Sequence, residues 1–163
     1  MNLIVAADNK WGIGRDGGLL ADLPGDMKFF RETTSGKVVV MGRKTLETLP
    51  GAKGLPNRIN YVVTRNPKFK AKNCSVVHSE DELWEALSMH LDEDVFIIGG
   101  AEIYNRFYKS CDRLYVTKID ADLGADTFIT NFDEDEDFEI VYESEPLTEN
   151  DIIYRFTTYE KKK

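Results

Sequence analysis

The sequence predicts an α/β protein: a central, mostly parallel, twisted sheet with an antiparallel C-terminal strand, flanked by about four helices. Three observations lead there. Six short runs, residues 3–7, 37–41, 59–64, 75–77, 95–98 and 113–119, are near-continuously apolar and rich in β-branched residues, as strands covered on both faces should be. Helical patterns alternate with these runs, the order that builds a layered fold around parallel strands. Two final runs, 138–144 and 152–160, are more polar and alternate, with Tyr154, Phe156 and Thr158 on one side. They suit an antiparallel pair at a sheet edge.

Taken in order, residues 3–7 follow no basic leader and are ended by Asp8, so they read as a buried strand and not as a secretory signal. A helix over 25–34 carries Met27, Phe29 and Phe30 and follows Leu23-Pro24-Gly25. The run 37–41 passes through Gly42 into Arg43-Lys44-Thr45, a strand, a glycine and a short helix. The run 59–64 ends on Val63-Thr64 with Arg65 beyond it. Ser79 precedes Glu82 by three residues, a capping box that opens a helix in which Leu83, Leu87 and Leu91 recur at helical spacing. The run 95–98 leads through Gly99-Gly100-Ala101 directly into a helix over 102–108. No internal repeat and no Pro/Ser-rich linker divides the chain, so residues 1–163 are expected to form one domain.

Composition excludes several function classes. With 42% hydrophobic and 31% charged residues, the chain is of ordinary globular character. No apolar run approaches the ~18 residues of a membrane span. A net charge of −8 argues against nucleic acid as a partner, since that needs a basic face. It leaves room for small anions held by local cations. The acidic run 133–137 reads as a solvated loop without the glycine turn of a calcium site. Cys74 and Cys111 form no paired motif, and His78 and His90 have no metal-ligand spacing with them. Two reduced thiols, no metal and a cytoplasmic location are expected.

The motifs differ in strength. Gly12-Ile13-Gly14-Arg15-Asp16-Gly17 fits the dinucleotide pattern G-x-G-x-x-G, but residues 8–11 separate it from the strand, and Gly17-Gly18 and Pro24 oppose a helix. A flexible glycine-rich loop beside a site is the better reading. At Gly99-Gly100-Ala101-Glu102, glycines would let a ligand approach the backbone where a helix begins, although a plain tight turn fits equally well. Arg43, Lys44, Thr45, Thr64 and Arg65 fall at the ends of two parallel strands, where such sheets bind ligands, and suggest an anionic, phosphorylated cofactor. Asp26 lies in the first turn of a helix, where the macrodipole alone accounts for a carboxylate.

In joint order, these segments resemble the dihydrofolate reductase family over nearly the whole chain. The resemblance rests on Trp11-Gly12-Ile13-Gly14, Leu23-Pro24-Gly25-Asp26-Met27-Lys28-Phe29-Phe30, Val40-Met41-Gly42-Arg43-Lys44-Thr45, Leu55-Pro56-Asn57-Arg58, Ile98-Gly99-Gly100-Ala101-Glu102-Ile103-Tyr104, Thr117-Lys118-Ile119-Asp120 and Asp126-Thr127. It implies NADPH-dependent reduction of dihydrofolate to tetrahydrofolate for one-carbon metabolism. It also implies antifolate inhibitors as small-molecule ligands and a monomeric state. Asp26 would bond the amino-pyrimidine edge of the pterin and favour a protonated ring, with Thr117 orienting it. Ala6, Leu19, Met27, Phe30, Leu49 and Ile98 would form the apolar slot, and Arg58 would clamp the glutamate α-carboxylate. Ala7, Ile13, Gly42, Arg43, Lys44, Thr45, Thr64, Arg65, Gly99, Gly100, Ala101, Glu102, Ile103 and Tyr104 would hold NADPH, and Asp126 would fix the loop over 14–23.

The chain departs from the family pattern where a tryptophan is common three residues before Pro24. That position is Ala21, and the preceding residue, often proline, is Leu20. In the family this tryptophan organises a water near the pterin oxygen and shields the site. Trp11 lies too early in the loop to be assigned that role. Two other readings remain beside the resemblance: a related reductase of riboflavin synthesis, and a nucleotide-binding module without catalysis.

Overall fold

The computed structural model describes residues 1–163. β1 (Asn2–Ala7) leads through β2 (Gly12–Gly14) to α1 (Pro24–Thr34), and β3 (Val38–Gly42) runs straight into α2 (Arg43–Thr48). β4 (Ile59–Val63) and β5 (Ser75–Val77) precede α3 (Glu80–Leu87). β6 (Val95–Gly99) enters α4 (Ala101–Phe107), and β7 (Arg113–Ile119), β8 (Thr127–Phe128), β9 (Phe138–Glu143), β10 (Leu147–Glu149) and β11 (Ile152–Lys161) complete the order. One sheet runs β10-β11-β7-β1-β6-β3-β4-β5, with β9 also paired to β11, and β2 pairs with β8 in a separate ribbon. The strands from β7 to β5 are mutually parallel. β11 is antiparallel to β7, β9 and β10. The mixed α/β architecture and its four helices agree with the sequence reading.

Period-two side-chain alternation explains the two cores. Leu3, Val5, Val38, Val40, Val95 and Ile97 face one side, where they meet Leu83 of α3 and Ile103 and Phe107 of α4. Ile4, Val39, Met41, Phe96 and Ile98 face the other side, against Leu46 of α2 and Phe29 and Phe30 of α1. Each such side chain contributes about 1.5–3 kcal/mol by burial. No helix is long and apolar enough to cross a membrane.

Several expectations need correction. Leu91 does not extend α3: the helix ends at Leu87, and Leu91 is exposed after a turn at Ser88. Gly12–Gly14 is a short strand held by β8, so the first part of the glycine-rich segment is ordered by pairing. The antiparallel pair expected at a sheet edge is present as β9 and β11, with β10 also paired to β11 at that end of the sheet. Tyr154 and Phe156 of β11 pack towards Leu23, while Tyr159 packs into the opposite core. The acidic run is partly anchored, because Asp133 accepts from Tyr159 Oη at 2.5 Å and Asp135 from Tyr108 Oη at 2.8 Å. Trp11 is buried against Phe132 and Tyr159, ring centroids 5.2 and 6.4 Å away, so it does not replace the indole missing at Ala21. Ala21 itself packs beside Leu23, Ile119 and Tyr154.

Candidate active site

The winding order brings the site together. The chain passes from β1 out to β3, β4 and β5, returns as β6 between β3 and β1, and then places β7 on the far flank of β1. The C-terminal ends of β1, β3 and β6 therefore border the point where the winding reverses, which is where open α/β sheets bind ligands.

One side of this cleft is built by α1 and β7. Pro24 opens the helix, its ring fixing the backbone angle and its missing N–H needing no partner there. Asp26 follows within the first turn, and Leu23 anchors the turn in a small core with Ile119 and Tyr154. Thr117, buried on β7 and opposite Ala6 of β1, donates its hydroxyl to Asp26 Oδ1 at 2.6 Å. Burial pushes the Asp26 carboxyl above the ordinary carboxylate value. The Thr117 hydrogen bond opposes that shift, and the Glu149 carboxylate adds to it.

Phe30, Leu49 and Ile98 share one apolar cluster beside this carboxylate. Met27 and Leu19 are respectively half and three-quarters exposed. Arg58 lies beyond Phe30, its guanidinium carbon 5.9 Å from the ring centroid. Its Nε donates to Thr34 Oγ1 at 2.9 Å, and its other nitrogens reach the carbonyls of Pro56 and Arg31. It is thus oriented by neutral acceptors and pairs with no carboxylate of the chain.

The other side of the cleft is made by strand ends. Gly99 adopts φ +131°, and a Cβ there or at Gly100 would stand 3.3 Å from Thr45 Oγ1, so the β6–α4 and β3–α2 junctions touch. Ile103 packs over Gly42, and Glu102 is exposed. Tyr104 is buried with its hydroxyl committed to the Ile4 carbonyl at 2.8 Å, which leaves only its ring to line the cleft. Lys44 and Arg65 are exposed and form no ion pair. Arg43 differs from expectation in being partly engaged, by Glu47 at 2.7 Å one helical turn on. Thr64 accepts from the Asn66 amide at 3.2 Å. Ala7 is buried at the end of β1, and Ile13 is half-buried on β2.

Asp126 accepts from the Asp16 amide at 2.9 Å and from the Thr127 hydroxyl at 2.8 Å, and both bonds hold its carboxyl below the ordinary range. It therefore tethers the first half of the loop over 14–23. Asp8 ties the base of that loop to the 121–124 segment through the amides of Gly12 at 2.8 Å and Leu123 at 3.1 Å.

Sequence reasoning missed Glu149 and Tyr154. Glu149 accepts from the Gly25 amide at 2.9 Å and from Tyr154 Oη at 2.5 Å, beside the turn that carries Asp26. The only signal was alternation around Tyr154; nothing in the sequence marked Glu149 among the many acidic residues of the C-terminal third.

Comparison with known proteins shows the family and the fold. The family model described as dihydrofolate reductase matches residues 1–161. The chain is 37% identical to the dihydrofolate reductase of Bacillus subtilis, covering 99% of this chain and 95% of that one. It is 41% identical to that of Enterococcus faecium, over 96% and 93%. A bifunctional dihydrofolate reductase-thymidylate synthase of Daucus carota is 38% identical, and there the chain spans 33% of the relative's length. Among solved structures, a dihydrofolate reductase from Enterococcus faecalis complexed with NADP(H) and RAB-propyl superposes with a TM-score of 0.85 at 32% identity, covering 99% of this chain and 96% of that one.

Proposed function

The chain belongs to the dihydrofolate reductase family, and from that premise we propose that Asp26 is the group around which its reaction is organised. That reaction is the NADPH-dependent reduction of 7,8-dihydrofolate to 5,6,7,8-tetrahydrofolate. The observation that carries the reading is the 2.6 Å bond from buried Thr117 to Asp26 Oδ1 at the edge of an apolar slot. A carboxylate held this way presents its acceptor oxygens to the parallel N–H groups of an amino-pyrimidine. Its negative charge in a desolvated corner favours a cationic ring, which lowers the barrier to reduction. Thr117 fixes the direction of the carboxylate. Ala6, Phe30, Leu49 and Ile98 exclude water around the rings, with Met27 and Leu19 at the mouth. Arg58, free of any internal carboxylate, suits the glutamate α-carboxylate, for which a guanidinium fork is well shaped.

The strand ends fit the cofactor, because Gly99 and Gly100 keep open a cradle that any side chain would crowd against Thr45. Bound there, NADPH supplies the hydride. Lys44, Arg65, Arg43, Thr45 and Thr64 would hold its phosphates, and Gly42, Ala101, Glu102, Ile103, Tyr104, Ala7 and Ile13 would border it. Asp126 steadies the loop that closes on it. The chain acts as one domain and as a monomer in the cytoplasm, on small molecules that include antifolates. The net charge of −8 and the two free thiols support this reading.

Following NADPH oxidation by absorbance with dihydrofolate as the acceptor tests the reading. Turnover that needs both reagents is the expected result. Oxidation only with a pyrimidine intermediate would indicate the riboflavin-pathway reductase, and NADPH binding without turnover would indicate a binding module.

A further inference from the structure

α1 begins without a side-chain cap of its own, since Leu23 at its N-cap has no acceptor to offer. A residue 124 positions beyond Gly25 fills that gap. Glu149, the last residue of β10, accepts from the Gly25 amide with both oxygens, at 2.9 and 3.2 Å. Its Oε1 also accepts from Tyr154 Oη at 2.5 Å. Tyr154 is buried on β11 between Leu23 and Ile119, so the hydroxyl that orients Glu149 is itself fixed by packing. Gly25 has no side chain to spare here, because a Cβ would lie 2.6 Å from Tyr154 Oη and 2.8 Å from Glu149 Oε1. The next residue, Asn150, donates to the Asp22 carbonyl at 2.8 Å, so one hairpin tip grips the chain on both sides of Pro24. Asp26 is the next residue after Gly25.

We propose that Glu149, oriented by Tyr154, is a positioning residue for Asp26: it clamps the amide that precedes Asp26 and keeps a second negative charge beside the reacting carboxylate. The inference rests on the reading that Asp26 faces the substrate. The clamp sets where the first turn of α1 stands relative to Thr117, and hence the direction of the carboxylate. The charge acts on its affinity for protons. Around Asp26 stand Thr117 of β7, Glu149 of β10, Tyr154 of β11 and Tyr104 of α4, with no cation among them. Desolvation first, and Glu149 in addition, hold the Asp26 carboxyl up, while Thr117 pulls it down. Removing the Glu149 charge lowers the pH at which the pair formed by Asp26 and the substrate loses its proton. Activity that falls as pH rises should then begin to fall earlier.

The test compares pH profiles of kcat, together with KM for dihydrofolate, across variants of the full chain. Glu149→Gln keeps an acceptor for Gly25 and Tyr154 but removes the charge. Its high-pH decline should move down by roughly half a pH unit with KM within about twofold of wild type. Glu149→Leu removes clamp and charge, and should add a several-fold loss of kcat at the low-pH plateau. Tyr154→Phe keeps the ring packing and should move in the same direction by less. The proposal is overturned if the Glu149→Gln profile superimposes on wild type, whatever Glu149→Leu does to Tm. Asp26→Asn in the same series separates the two ideas. If it turns over normally at neutral pH, the Asp26 reading falls and this inference with it. If it is slow while Glu149→Gln leaves the profile unmoved, only this inference falls.

Discussion

Around Asp26 the polar groups already have partners within the chain, whereas at the ends of β3 and β4 the cations Lys44 and Arg65 have none. Thr117 bonds Asp26, and Glu149 bonds both Gly25 and Tyr154, so three separate strands converge on one helical turn. Of the three cations on the cofactor side, Arg43, Lys44 and Arg65, only Arg43 is paired, by an exposed carboxylate whose hold is worth about 0.3–0.5 kcal/mol. The difference follows from the two tasks. A group that must hold a set position and a shifted proton affinity is fixed in advance by internal bonds. Groups that bind a charged ligand do best uncommitted, because an internal partner would compete with the phosphate. Arg58 combines both: its stem and Nε are fixed by Thr34, and its charge is unpaired.

That contrast can be broken most sharply on the cofactor side. Arg65→Glu should weaken NADPH by about 10- to 100-fold, the scale of one charge-assisted bond lost and a repulsion gained, while NADH changes little. Titrating both cofactors by fluorescence checks this, and equal losses would show that Arg65 does not read the phosphate. Arg58→Leu should raise KM for dihydrofolate about tenfold and leave kcat nearly unchanged. A pterin lacking the glutamate should not register the change; parallel losses for both substrates would end the assignment. Thr117→Val should give the smallest effect. Losing its hydrogen bond removes the influence that lowers the Asp26 carboxyl, so the high-pH decline moves up, with a few-fold loss of kcat from poorer orientation. That shift is opposite in sign to the one expected for Glu149→Gln, and the same sign for both would contradict the account of the corner.

The cofactor side was the more legible in sequence, and for a physical reason. Strand–glycine–helix junctions are local, so Val40 to Thr45 and Ile98 to Tyr104 each spell out within a few residues the strand end and helix start that the structure has there. The parallel strands were readable too, since burial on both faces removes polar alternation. The carboxylate corner was only half legible. Asp26 and Thr117 could be paired through the family resemblance, but Glu149 acts across 124 residues of chain, and no local pattern records which glutamate will meet which amide. β2, β8 and β10, of two or three residues each, were too short to leave a periodic signal. Leu91 shows the converse, because helical spacing continued past the point where the helix stopped.

The central claim is that the charge of Asp26, and not merely its place in a helix, favours protonation of the substrate before reduction. The pH dependence of kcat for Asp26→Asn against wild type tests it most directly. The variant should be slower by about 10²- to 10⁴-fold at neutral pH and recover as pH falls, because solvent then supplies the protonated substrate. Wild type should instead decline only at higher pH, above the apparent pKa at which the carboxylate–substrate complex gives up its proton. An Asp26→Asn enzyme with near-wild-type turnover at neutral pH and a profile parallel to wild type would contradict the claim.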